Sequence, residues 1–206
     1  MAEPVARSPI RQISPTRLLA GWEVSTRRSE ASLRLADLTA LTKVMIRTSP
    51  EAVRPGQTPF GRAVLRPNGW LEIGSGPGEW MVLGPIGSGD EIVSWMTEHV
   101  HATEQPVTVI DVTHGRALIR LQGTEAASLL AKVCSIDLAD HMAPDGCAFR
   151  APVANVVSDL VRNDQNGART YLIHCERSSG QYLVDTLLDA GAEFGVELEG
   201  FPERPF

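Results

Sequence analysis

Lysine is almost missing from this chain. Lys43 and Lys132 are the only two in 206 residues, so arginine carries nearly all the positive charge. A planar guanidinium suits interfaces and bidentate carboxylate contacts, although codon bias gives the same pattern. Cysteine is also scarce. Cys134, Cys147 and Cys175 are an odd three without a C-x-x-C pair, which excludes a disulfide scaffold and argues against a structural zinc site. A reducing, cytoplasmic setting is the expectation. No apolar run approaches the ~18 residues of a membrane-spanning helix. Positive charge is in deficit overall, with a formal net charge of −6. That balance argues against a general nucleic-acid binder, which needs a basic surface for phosphates, and against a polybasic membrane sensor.

The charge that is present is uneven. Residues 1–28 hold five arginines (Arg7, Arg11, Arg17, Arg27, Arg28) against Glu3 and Glu23, a net of +3, which leaves −9 for residues 29–206. Pro4, Pro9 and Pro15 discourage helix in this segment, and it lacks the apolar stretch of a secretory signal. It reads as a disordered leader, as an arm lying along a partner, or as a transit peptide, the last opposed by the prolines. Ile10, Ile13, Leu18, Leu19 and Trp22 are costly to leave in water, which argues for the arm. The expected division is an arm over 1–28 and one domain over 29–206. Arg7, Arg11, Arg17, Leu18, Leu19 and Trp22 are the candidate partner contacts.

Beyond the arm, strands and helices alternate. Trp70–Gly74 and Glu79–Gly84 read as strands around the turn SGPG. Ser88 with Glu91 resembles a capping box, and Ile92, Val93, Met96 and Val100 recur at helical spacing. VTVIDV and RALIRL flank Thr113-His114-Gly115, which reads as a hairpin. Ala126, Leu129, Leu130 and Val133 form a helical stripe. PVANVVSDLV reads as a strand, and NDQNG as the turn into RTYLIHC. Ser178 with Gln181 forms a second capping box, before a helix that Gly191 and Gly195 end. LRLADLTALTKVMIRT can supply two strands, and Pro50 to Pro67 reads as a loop. Antiparallel hairpins between strand–helix units predict an α+β fold, with helices packed on one face of antiparallel sheets.

No catalytic constellation emerges from these residues. Gly74, Gly76 and Gly78 lie between two strands, so they are not a dinucleotide fingerprint. Gly84 to Gly89 joins a strand to a helix, but Asp90 and Glu91 in the first turn would repel phosphate. His99 and His101 do not share a helix face. Cys134 or Cys175 could act as a nucleophile only beside a histidine. Asp111 and Asp159 interrupt apolar strands, and each is either a turn hydrogen bond or a buried acid with a partner. On residue chemistry alone, no metal ligand or catalytic group is assigned.

Several segments resemble the gamma subunit of heterotetrameric sarcosine oxidases. They are GPGEWMVLGP (Gly76–Pro85), Asp111–Leu138, DGCAF (Asp145–Phe149), LVR (Leu160–Arg162), EFGVELE (Glu193–Glu199) and the early RSPI (Arg7–Ile10). The middle of the chain also resembles the folate-binding domain of glycine-cleavage aminomethyltransferases, where an aspartate on a corresponding strand works near the folate. Asp159 is the matching position and the one candidate folate contact. The resemblance implies a non-catalytic subunit of a flavoenzyme complex. That complex would demethylate sarcosine oxidatively to glycine and transfer the one-carbon unit to tetrahydrofolate. FAD, covalent FMN, NAD and tetrahydrofolate are then expected in the large alpha and beta and small delta partners, not in this chain. A free-standing folate-binding or aminomethyltransferase-like protein is the alternative.

Overall fold

A computed structural model describes residues 4–52, 57–100, 106–203 and 205–206. In chain order, the first strands are β1 (Ala6–Arg7), β2 (Thr16–Leu19), β3 (Trp22–Ser25), β4 (Leu33–Asp37) and β5 (Thr42–Arg47). Then come β6 (Ala63–Leu65), β7 (Leu71–Gly76), β8 (Glu79–Gly84), α1 (Gly89–Val100), β9 (Thr108–Asp111), β10 (Arg116–Gly123) and α2 (Ala126–Ala131). The last elements are β11 (Ala148–Val153), β12 (Val156–Arg162), β13 (Thr170–Glu176), α3 (Gly180–Ala190) and β14 (Glu197–Glu199). They form a six-stranded sheet ordered β11-β12-β13-β10-β4-β14, a five-stranded sheet ordered β6-β7-β8-β5-β9, and a small sheet ordered β1-β3-β2. Most neighbouring pairs are antiparallel, so the fold is α+β as expected.

Two-residue alternation along each strand explains the layering. On β10 and β13, Ala117, Ile119, Leu121, Tyr171, Ile173 and Cys175 pack with α2 and α3. Leu118 and Leu172 point the other way, onto Leu71, Ile73, Met81 and Leu83 of the five-stranded sheet. The far face of that sheet, with Val44, Ile46, Trp80 and Val82, covers Ile92 and Met96 of α1. The order is therefore α2 and α3, six-stranded sheet, five-stranded sheet, α1. Strands buried on both faces read as nearly continuous apolar runs, as RALIRL and YLIHC do.

Two sequence expectations change. Thr113–Gly115 does not close a hairpin, because β9 pairs with β5 while β10 pairs with β13 and β4. The turn is instead a crossing between the two sheets, held by the Thr113 N–H donating to Asp111 Oδ1 at 2.7 Å. PVANVVSDLV is not one strand. It folds back at Ala154 and Asn155, which take φ of 50° and 63°, the left-handed pair of a tight hairpin turn.

Lys43 is buried where the sheets meet and is 0% exposed. Its ammonium donates to the carbonyls of Thr39 and Leu41, each at 2.7 Å. Burial pushes its pKa down to about 7, against the opposing pull of Asp37 and Asp111. The unfolded chain then holds a proton that the folded chain has lost between about pH 7 and 10.5, so folding stability rises with pH across that window. The expected gain is up to about 2 kcal/mol between pH 7 and 9. Urea midpoints should show it in the parent chain and not in Lys43→Met; an equal rise in the variant would contradict this assignment.

Residues 4–28 are built into the fold. Ile10 is buried with the α3 cluster, and Trp22 and Val24 are buried with Ala40. The Gln12 amide donates to Asp37 Oδ2 and accepts from the Ser25 N–H. Gln181 does not close a capping box, since its carbonyl accepts the Arg11 N–H and its amide donates to Asp185. Trp22 is therefore a correction. It was expected at a partner surface, but it is only 5% exposed and stacks on the His114 ring at 4.9 Å.

Candidate functional site

Strand register assembles the one candidate site. Asp159 sits opposite Arg150 on β11 and opposite His174 on β13. By alternation these side chains share the face turned toward the five-stranded sheet, which brings Glu79 of β8 and Ser75 of β7 to the same end of the sheet–sheet seam. Arg150 Nε donates to Asp159 Oδ1 at 2.7 Å, and its other arm reaches Glu79. Arg47 of β5 closes the row with Glu79 at 2.9 Å. The network thus alternates in sign from one sheet to the other.

Asp159 is 6% exposed, and its chemistry is set by these partners. Burial alone would push the carboxyl up; the His174 ring and the Arg150 guanidinium outweigh it and hold the pKa down at about 2. His174 Nε2 lies 2.9 Å from Asp159 Oδ2, an ion-pair separation, but off the line that a hydrogen bond needs. His174 Nδ1 and the Ser75 hydroxyl are buried without hydrogen-bond partners among the described residues. Between the sheets, Ile73, Gly74, Ser75, Ala148, Phe149 and Asp159 line a narrow gap with no room for a water molecule.

The other sequence candidates are accounted for locally. Gly74 is a glycine because a Cβ there would lie 2.1 Å from the Pro59 carbonyl oxygen. At the glycine-rich strand-to-helix junction, the Asp111 carboxylate packs against Gly89, where a Cβ would meet it at 2.2 Å. An acid already fills the place an anion would need. His174 and Cys175 are adjacent on a strand and so face opposite sides, and burial pushes the Cys175 thiol up to about 11. Cys134 is buried in the α2–α3 core. His99 stacks on Trp95 at 4.0 Å, and His101 lies outside the described residues. Of the arm residues, Arg7 pairs with Glu23 at 3.2 Å, Arg11 and Arg17 are exposed, Leu18 is 63% exposed, and Leu19 is half-buried. Sequence reasoning found Asp159 but missed Arg150, Glu79 and Arg47. No local signal marks Arg150: the Ala154–Asn155 turn that sets it directly across from Asp159 holds no glycine.

Comparison with known proteins agrees with this architecture. The chain is 31% identical over 104 residues to an aminomethyltransferase of Bacillus velezensis, covering 50% of this chain and 27% of that protein. An aminomethyltransferase of Herpetosiphon aurantiacus is 25% identical over 84% of this chain and 46% of its own length. The chain therefore spans less than half of these relatives. Sarcosine oxidase subunit gamma of Corynebacterium sp. (strain P-1) is 28% identical over 66% of this chain and 60% of its own. Among solved structures, a chain of the heterotetrameric sarcosine oxidase from Corynebacterium sp. U-96 superposes with a TM-score of 0.68 at 20% identity, covering 84% of this chain and 90% of that one. The aminomethyltransferase of Bartonella henselae superposes at 0.66 with 16% identity, over 90% of this chain and 55% of that one. The profile of the GCVT N-terminal domain matches residues 75–204, a span that holds the whole Asp159 network except Arg47, and the chain belongs to that family.

Proposed function

We propose that this chain is a non-catalytic, gamma-type subunit of a sarcosine-oxidase-like flavoenzyme, a relative of a folate domain that serves assembly rather than chemistry. One observation carries the reading: Asp159, which the resemblance matches to the family's folate aspartate, is already committed to Arg150 beside a gap with no room for a water molecule. Ligand pockets run to roughly 300–1,000 Å³, so the residues present do not fit a folate there. A carboxyl held at about 2 is also a poor proton carrier near neutral pH, where an efficient acid or base has a matched pKa.

In this reading the assembly oxidises sarcosine to glycine in the cytoplasm and passes the one-carbon unit to tetrahydrofolate. The FAD, covalent FMN, NAD and tetrahydrofolate are held by alpha, beta and delta partners. The alternative, a free-standing folate-binding or aminomethyltransferase-like protein, has the aminomethyltransferase identity in its favour. It has against it the commitment of Asp159 to Arg150.

Co-expression of the tagged chain with neighbouring flavin-subunit genes tests the proposal. The chain should co-purify with yellow partners, and alone it should be colourless with an unmodified intact mass. Stoichiometric flavin on the isolated chain, or no co-purification, would contradict the proposal.

A further inference from the structure

A second and larger hollow lies away from the Asp159 network. It measures about 430 Å³ and is floored by Leu41, Pro85 and Ile86, with Leu65 at one side. Its remaining walls come from the two ends of the described chain: the β2–β3 turn supplies Leu19, and the C-terminal tail supplies Phe201 and Phe206. The size would suit a small ligand, but a ligand pocket also carries a few converging polar groups that fix orientation. Among the described residues the one charged wall residue is Glu203, which is turned to Arg28 at 3.3 Å. An apolar hollow without orienting groups, partly open to water, fits a side chain delivered by another polypeptide better than a free metabolite.

The charge around it narrows the partner. Arg17 stands two residues before Leu19 on β2 and so shares the strand face that lines the hollow. It is exposed and makes no ion pair among the described residues. Arg11 and Arg27 of the same small sheet region are exposed as well. This is the cationic end of a chain whose remainder carries −9. An acidic segment would be repelled by the body and drawn to this end, and such complementarity governs encounter rate and register at an interface.

We propose that the hollow is a docking site for an extended segment of a partner subunit, one that inserts an apolar side chain beside Leu19, Leu65 and Phe206 and sets a carboxylate against Arg17. This rests on the reading that the chain is a subunit of a larger assembly. It supplies the surface through which the arm residues act, with Trp22 holding that surface in place from inside.

The test uses the co-expressed complex. Arg17→Glu and Leu65→Glu alter exposed positions, Leu65 being 51% exposed, so both variants should keep the parent's melting temperature. Each should weaken retention of this chain on the immobilised partners by tenfold or more, and the Arg17→Glu loss should shrink as salt rises. Val157→Glu, on the β11–β12 hairpin and 68% exposed, should assemble as the parent does. Parental retention of both Arg17→Glu and Leu65→Glu would overturn the docking site while leaving the subunit reading intact. Failure of the parent chain itself to assemble would overturn both. Dimerisation of the isolated chain that Leu65→Glu abolishes would assign the hollow to a second copy and overturn the proposal.

Discussion

Replacing Asp159 by asparagine is expected to destabilise the chain by about 2–3 kcal/mol at neutral pH. The substitution keeps the shape and removes the charge. Arg150 then loses a partner across the β11–β12 ladder, and His174 loses the only acid near it among the described residues. Breaking a fully buried pair from one side costs roughly 3–5 kcal/mol. Arg150 is 41% exposed and keeps Glu79, so solvent absorbs part of that cost. The acid limb gives an independent check. An aspartate held at about 2 in the folded chain, against 3.8 as its ordinary value, contributes stability that is fully present above 3.8 and is lost as pH falls toward 2. The parent should therefore lose about 2 kcal/mol more than Asp159→Asn between pH 5 and pH 2, read from urea midpoints. Equal stability of the two proteins at pH 7 would mean that the network does not hold the sheets as described.

Trp22→Ala carries a larger expected loss, about 3–5 kcal/mol. Domains of this size are stable by roughly 5–15 kcal/mol in total, so the variant loses a large share of that and its melting temperature should fall by several degrees or more. The indole packs with Val24 and Ala40, against Leu19, Ile86 and Phe201, and stacks on the His114 ring, so its removal leaves a large void. That sheet is tied to the body by the Ser25 carbonyl accepting from Phe201, by the Arg27 carbonyl accepting from Gly200, and by Gln12 on Asp37. The segment that composition describes as an arm thus has two faces. Its inner face belongs to the core, and only its outer positions, Arg11, Arg17 and Leu18 among them, remain for a partner. Differential scanning calorimetry decides the point. A melting temperature within a degree or two of the parent would mean that Trp22 is not packed in solution.

The difference between what the sequence disclosed and what it hid follows the range of the interactions. The β7–β8 hairpin was legible because its turn is encoded locally, with Gly78 at φ of 70° between two alternating runs. The last helix was legible because its apolar spacing is local as well. The break at Ala154–Asn155 was hidden because neither residue is a glycine, and the left-handed pair is imposed by the antiparallel partners on either side. The crossing at Thr113 was hidden for a related reason. Two adjacent strands joined by a tight turn look like a hairpin until pairing with β5 and β13, far away in sequence, separates them.

The candidate site divides in the same way. An aspartate inside VVSDLV announces that something must satisfy it, since a buried carboxylate without a partner is costly. Which groups do so depends on register across three strands and on the face of a second sheet, and none of that is local. Arginine in place of lysine at Arg150 is consistent with the geometry, because one guanidinium can bridge Asp159 on its own sheet and Glu79 on the other.

Direct titration of the purified chain with tetrahydrofolate, followed by isothermal calorimetry, tests the central claim most directly, because it asks whether the seam beside Asp159 still accepts the ligand of the family's folate domain. With Asp159 tied to Arg150 and only a small gap beside it, the account predicts no saturable heat up to about 1 mM ligand, a limit of roughly −4 kcal/mol in binding free energy. A one-site isotherm at micromolar concentration, abolished by enlarging Ala148 to leucine in the wall of that gap, would contradict it.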